Sequence, residues 1–367
     1  MKILQIIPSL HMGGAEKFAV DLSNELALNN LNEVYLCIID KISEDSLLLK
    51  QVNANVKLLS LDKTSGYSFK VMFKLYKLLK DIKPDMVHTH LRALTYSSFS
   101  ILLLKIPTIH TIHNLAEKET KPFIQKIHFF LFNYVDVVPV SISNLVLNSV
   151  QVRYGKEFDK LIYNGVKALK KSKKFNEVEK EIKSYTNNDS IVMLNVGRIS
   201  RQKNQLLLIE SVNDLVSKGI NNIILIIIGA LDSEVEYANK CLATASINSN
   251  IHCIGLKDNI GDYMYQSDVF CLSSEYEGLP LVILEAMSMG KNVLSTPAGG
   301  VPDVVENNIN GYLSEDFTIK SYTEMIQKYI KSPIQHTDLI KNIYNNKYSM
   351  NICMNNYYSL YQKIIDE

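Results

Sequence analysis

The sequence has 367 residues, 47% of them hydrophobic and 21% charged, a globular balance that excludes wholesale disorder. Fifteen glycines and nine prolines are too few for a collagen-like or low-complexity chain. Basic residues number 39 and acidic residues 38, so overall charge makes no case for nucleic acid as a partner.

In chain order, the N-terminus opens with Lys2 and a short apolar run to Ile7, broken by Pro8, His11, Glu16 and Lys17. It does not read as a signal peptide, because no cleavage site of small residues follows. Apolar runs at 2–7, 34–39, 86–88, 108–112 and 135–140 are rich in Ile and Val. They read as strands buried on both faces of a parallel sheet. Amphipathic stretches at 15–28 and 69–83 read as helices between them. A charge-dense segment at 167–188 interrupts the series and marks a domain boundary. A second strand series follows at 191–196, 223–228, 251–254, 269–272 and 293–295, with helices at 204–218 and 281–289. The alternation predicts an α/β protein of doubly wound sheets. Residues 337–366, with Tyr348, Ile352, Tyr357, Leu360, Tyr361 and Ile364 at helical spacing, predict terminal helices packed on the body. No apolar run approaches the roughly 20 residues that span a bilayer. Five widely spaced cysteines without a Cys-x-x-Cys pair read as free thiols of a reducing compartment. Together these features predict a cytoplasmic protein, with the inner face of the plasma membrane as the one alternative site.

Three stretches carry chemistry. The first strand ends in Gly13-Gly14-Ala15-Glu16 before a helix, where backbone can approach a ligand and a helix N-terminus can meet an anion. It lacks the G-x-G-x-x-G spacing, so an NAD-dependent dehydrogenase is poorly supported. The second domain's first strand ends in Asn195-Val196-Gly197-Arg198, followed by Lys203, a fork and a point charge suited to a diphosphate. The third stretch runs from Ser273 to Gly290. It sets Glu277 on a loop at a strand's carboxyl end and Glu285 on the following helix, with Gly278, Leu279 and Pro280 between. Open α/β sheets bind ligands at that end. Carboxylates there can accept hydrogen bonds from sugar hydroxyls.

On Gly13-Gly14-Ala15-Glu16, His113, Gly197-Arg198 with Lys203, Glu277 to Glu285, Pro297-Ala298-Gly299-Gly300 and Asn310-Gly311, the chain resembles the retaining glycosyltransferases of family 4 over nearly its whole length. The resemblance implies the GT-B fold, two facing Rossmann-like domains with a deep interdomain cleft. It implies an acceptor-binding domain at 1–165, a linker at 166–189 and a nucleotide-sugar-binding domain at 190–335. Helices at 336–367 would pack back toward the first domain. By the same resemblance, Arg198 and Lys203 hold the donor diphosphate, Glu285 the ribose hydroxyls, and Glu277 the donor sugar. Gly278, Leu279 and Pro280 offer that sugar backbone contacts, and Gly13 and Gly14 lie between acceptor and diphosphate. Leu256, in Gly255-Leu256-Lys257-Asp258-Asn259, belongs to the base-binding loop. His113 is the catalytic histidine over the sugar.

The implied reaction moves a hexose or N-acetylhexosamine from a UDP-linked donor to a glycan or polyprenyl-linked glycan in surface polysaccharide or lipopolysaccharide assembly. Retention requires either a carboxylate nucleophile or front-face substitution. No acidic residue in the first-domain motifs offers an obvious nucleophile, which favours the front-face route. No cofactor besides the nucleotide sugar and no catalytic metal are expected. His88, His90 and His110 read as structural, with no acidic or cysteine partner at metal-ligand spacing. Lys70, Lys74 and Lys77 share one face of the 69–83 helix, opposite Met72, Leu75, Tyr76 and Leu79. Residues 122–134 add Phe123, Lys126, Phe129, Phe130 and Phe132. Such segments suit an anionic membrane surface, and equally an ordinary packed helix. A UDP-sugar epimerase or hydrolase of the same fold, and a non-catalytic sugar-nucleotide-binding protein, stay open as alternatives.

Overall fold

Continuous Ile, Val and Leu runs make poor surface and good interior, and they become the central strands of two sheets. The computed structural model describes every residue except Met12, Ser65 and Ser233. Its chain divides into two units, Met1–Val166 with Lys347–Glu367, and Lys167–Asn346.

In the first unit the elements are β1 (Lys2–Ile7), α1 (Gly14–Leu26), β2 (Glu33–Asp40), β3 (Lys57–Lys63), α2 (Phe69–Ile82), β4 (Met86–His90) and α3 (Ala93–Leu104). They continue with β5 (Thr108–Ile112), α4 (Ala116–Glu119), α5 (Pro122–Tyr134), β6 (Val138–Ser141) and α6 (Asn144–Tyr154). The six strands lie in the order β3-β2-β1-β4-β5-β6, all pairs parallel. The chain order therefore reverses between β1 and β4, the switch point at which such sheets bind ligands. β3 escapes a reading for apolar runs because it is an edge strand with Lys57, Ser60, Asp62 and Lys63 among its residues. β4 extends two residues past the expected run, because buried Thr89 and His90 find polar partners there.

α2 packs Val71, Leu75 and Leu79 into the sheet's core, each burial contributing about 1.5–3 kcal/mol. The lysines predicted on one face, Lys70, Lys74 and Lys77, are exposed. Phe69 and Phe73 are exposed beside them.

The second unit comprises α7 (Phe175–Tyr185), β7 (Ile191–Val196), α8 (Gln205–Ser217), β8 (Ile223–Ile228), α9 (Val235–Ala245), β9 (Ile251–Cys253) and α10 (Ile260–Gln266). β10 (Val269–Leu272), α11 (Leu281–Ser288), β11 (Asn292–Ser295), β12 (Gly311–Leu313), α12 (Ile319–Lys331) and α13 (Thr337–Ile343) follow. Its order, β12-β11-β10-β7-β8-β9, repeats that of the first sheet, with the switch point between β7 and β10. α7 lies within the charge-dense segment and buries only Val178 and Ile182. Gly290 ends α11 with φ +73°, a left-handed cap that glycine adopts without penalty.

The chain then returns to the first unit as α14 (Met350–Asp366), which packs on α1. Its Cys353, Tyr357 and Tyr361 are buried. A mutual bridge, Val166 N–H to Tyr348 O and Met350 N–H to Val166 O, anchors its start. Among the described residues no helix is long and apolar enough to cross a membrane. All five cysteines are free.

Candidate active site

In the second unit the residues singled out by sequence gather where β7, β10 and β11 end. The loop after β7 carries Arg198, which is exposed, and Lys203. Gln205, on the first turn of α8, fixes this loop. Its Nε2 donates to Arg198 O at 3.0 Å, and its Oε1 accepts from Ser200 N–H at 3.3 Å. The loop after β10 carries Glu277, Gly278, Leu279 and Pro280, all buried. Lys203 Nζ donates to Glu277 Oε1 at 2.5 Å, and Ser274 Oγ donates to the same oxygen at 2.6 Å. The two loops that flank the switch point are therefore clasped by one ion pair. Backbone reinforces it: Glu275 N–H donates to Gln202 O at 2.8 Å, and Ser273 Oγ to Lys203 O at 3.1 Å.

The loop after β11 presses on Glu277 from the other side. Gly299 has φ +58°, and a Cβ there would stand 1.7 Å from Glu277 O. Only glycine fits both the dihedral and the space. Gly300 N–H donates to Gly278 O at 3.1 Å. Pro280 stands just ahead of α11, and the buried Glu285 projects from that helix's second turn. Leu256 is exposed on the loop after β9.

In the first unit Gly13 caps α1 and Gly14 begins it, both exposed. Met12, in the same loop, lies outside the described residues. His113 follows β5 directly, half-buried, with its ring 5.7 Å from that of Phe18 on α1. Its Nε2 is 3.0 Å from His90 Nδ1, and His90 Nε2 is 2.8 Å from Gln5 Oε1. Gln5 Nε2 donates to Tyr361 OH at 3.1 Å, and that hydroxyl lies 2.7 Å from His88 Nδ1. Burial, and then His110, hold His113 down to about 3. Burial and the neighbouring imidazoles hold His88 and His90 well below the usual imidazole value. All three rings are neutral at pH 7.

This neutrality fixes the tautomers. The Gln5 amide oxygen can only accept, so His90 donates from Nε2 and accepts at Nδ1. His113 then donates from Nε2 and keeps the lone pair on Nδ1. The sequence reading singled out His113 and set His90 aside as structural. No local signal joins Gln5, His90 and His113, because their strands meet only through sheet order.

Sequence spacing offered His110 no acidic partner; in the fold its Nε2 lies 3.6 Å from Glu119 Oε2, with His128 beside them. The three residues sit on a strand and two different helices, a separation that no short spacing rule covers.

The comparisons with known proteins agree along the chain. Residues 12–168 match the family model described as Glycosyltransferase Family 4, and residues 177–346 the one described as Glycosyl transferases group 1. The chain is 26% identical over 351 residues to the capsular polysaccharide biosynthesis glycosyltransferase CapH of Staphylococcus aureus, covering 90% of this chain and 91% of that protein. It is 26% identical over 276 residues to the Escherichia coli UDP-Gal:alpha-D-GlcNAc-diphosphoundecaprenol alpha-1,3-galactosyltransferase, covering 69% and 68%. The crystal structure of Anabaena HepE in complex with UDP and glucose superposes with a TM-score of 0.83 at 17% identity, covering 99% of both chains. Two family models in tandem, and a fold shared end to end, place this chain among the family 4 glycosyltransferases of the GT-B fold.

Proposed function

We propose that the protein transfers a hexose or N-acetylhexosamine, with retention, from a UDP-linked donor to a glycan or polyprenyl-linked glycan in cell-surface polysaccharide assembly. The observation that carries this reading is the Lys203–Glu277 clasp across the second switch point. It puts a cation for a diphosphate and a carboxylate for sugar hydroxyls on the two loops where such sheets bind nucleotides. The names of the capsular and undecaprenol-linked relatives, and the UDP and glucose in the HepE structure, support the same substrate classes.

In this reading Lys203 and Arg198 hold the donor diphosphate without a metal ion. Glu285 receives the ribose hydroxyls, and Leu256 lines the base. Glu277 holds the sugar, with Gly278, Leu279 and Pro280 beside it. Gly13 and Gly14 give close backbone approach on the acceptor side. His113, whose ring nitrogens are assigned by His90, accepts a hydrogen bond from the donor sugar at Nδ1. The acceptor hydroxyl attacks from the leaving-group face, and a diphosphate oxygen takes its proton. Catalysis then comes from positioning and from stabilising the departing charge.

The acceptor side carries a surface suited to lipid. Exposed Phe69 and Phe73 on α2 stand with Lys70, Lys74 and Lys77, and exposed Phe123, Phe129 and Phe130 on α5 with Lys126. α3 touches both helices. Gln125, Lys126, Phe129 and Arg153 line a hollow of about 300 Å³. Aromatic side chains among lysines suit peripheral docking on an anionic membrane that presents a lipid-linked acceptor.

The test is a thermal-shift panel of UDP, GDP, ADP and their sugars. A ligand at 100 times its Kd stabilises by about 2.7 kcal/mol. Stabilisation by the UDP compounds alone, lost in Glu285→Ala, is expected. No shift with any nucleotide contradicts the reading.

A further inference from the structure

Beneath the loop that carries His113 lies a second group of titratable side chains, outside the proposed transfer machinery. His110 on β5, Glu119 at the end of α4 and His128 on α5 bring one ligating atom each to a common point, all within 4.8 Å of one another. Each of the three residues also has a buried polar atom with no hydrogen-bond partner among the described residues: His110 Nε2, Glu119 Oε2 and His128 Nδ1. Both histidines are fully buried, and the Glu119 side chain is 1% exposed. A buried polar atom without a partner is costly, and a buried carboxylate most of all. Three converging on one point ask for a shared partner.

The far side of each ligand is already held. His110 Nδ1 lies 3.1 Å from Thr89 O. Thr89 Oγ1, 2.9 Å from the same nitrogen, donates its proton to Ile109 O, and a carbonyl only accepts, so the proton sits on Nδ1 and the Nε2 lone pair faces the cluster. His128 Nε2 lies 3.2 Å from Thr95 Oγ1. Glu119 Oε1 accepts from the His113 N–H at 3.2 Å. Metal-bound imidazoles and carboxylates are oriented in this way by outer partners. The Phe132 ring walls the site, 6.1 Å from His110 and 5.9 Å from His128.

We propose that His110, Glu119 and His128 bind a divalent transition metal of the zinc class, with water in the fourth position. Two imidazoles and a carboxylate are a zinc donor set, whereas calcium and magnesium take oxygen ligands. Zinc bonds of about 2.0–2.2 Å hold tetrahedral ligand atoms about 3.3–3.6 Å apart. His110 Nε2 and Glu119 Oε2, at 3.6 Å, are close to that spacing, and the ion draws His128 in. Through Glu119, the metal braces the backbone of His113 and takes no part in donor binding. The proposal stands independently of the transferase reading.

The test is titration of the chelator-treated full chain with Co²⁺ and then Zn²⁺, read by visible absorption and by metal content. The expected result is one metal per chain and the absorption of four-coordinate cobalt, bleached by zinc. Affinity falls about a hundredfold or more in Glu119→Gln and in His128→Gln. Should either variant fail to fold, the wild-type cobalt spectrum and stoichiometry decide alone. A wild-type chain that takes up no stoichiometric cobalt or zinc overturns the proposal. So does metal binding that both variants retain undiminished.

Discussion

The two units are built on one strand order and hold different chemistry at the same place. In the second unit, the switch point is clasped by charge: Lys203 on Glu277, braced by Ser274 and by the close approach of Gly299. In the first, the strands flanking the switch point carry a neutral relay. Gln5 on β1 bonds His90 on β4, and His90 bonds His113 after β5. A charged clasp suits an anionic leaving group, and a relay of neutral rings suits orientation of a sugar without competing for the diphosphate. Fold alone therefore does not set function here; the residues at the strand ends do.

The largest expected effect falls on the charged half. Lys203→Ala should lower turnover about a thousandfold, the scale on which leaving-charge stabilisation is lost, in a chain that still folds but melts lower because Glu277 stays buried without its cation. Near-normal turnover would break the comparison at its stronger side. The next effect concerns the surface of the first unit. Replacing Lys70, Lys74 and Lys77 together by Gln removes about 1 kcal/mol of lipid attraction per lysine. Flotation with anionic vesicles should drop more than about a hundredfold, with nucleotide binding intact. Flotation that survives the triple change would remove the lysines from the account.

A third prediction tests whether the clasp rests on backbone. Gly299→Ala must accommodate φ +58° and a Cβ 1.7 Å from Glu277 O. Strain of this kind costs about 1–3 kcal/mol, read by denaturant unfolding, and the variant should lose donor binding as well. A variant as stable as the parent would show that the loop after β11 yields freely. The smallest effect belongs to the relay. His90→Phe keeps a ring in place but frees the tautomer of His113, so turnover should fall about tenfold, less than the loss of a full acid–base contribution. UDP affinity should not change. A loss of UDP affinity in this variant would erase the distinction between the halves.

The halves also differ in how openly the sequence declares them. The residues of the clasp were legible because each set is local, Arg198 and Lys203 on one loop and Glu277 to Glu285 on one strand–loop–helix; the ion pair between Lys203 and Glu277 was not, because it joins two separate loops. Central strands were legible because burial on both faces demands unbroken apolar runs. β3 was not, since an edge strand tolerates Lys57, Asp62 and Lys63. β12 was not, since three residues give no pattern. The relay and the His110–Glu119–His128 group were hidden for another reason. Each draws on three separate elements, so their contacts exist only once the strand order and the seat of α5 are known. α14 adds to this, because Tyr361, near the C-terminus, bonds Gln5 near the N-terminus.

The division of labour between the halves is tested most directly by calorimetric titration of UDP into the parent, Lys203→Ala and His113→Ala. UDP carries the diphosphate and lacks the sugar. The account predicts that Lys203→Ala weakens UDP binding at least about tenfold, or 1.4 kcal/mol, and that His113→Ala leaves it unchanged. UDP binding that tolerates the loss of Lys203, or that falls with the loss of His113, would contradict it.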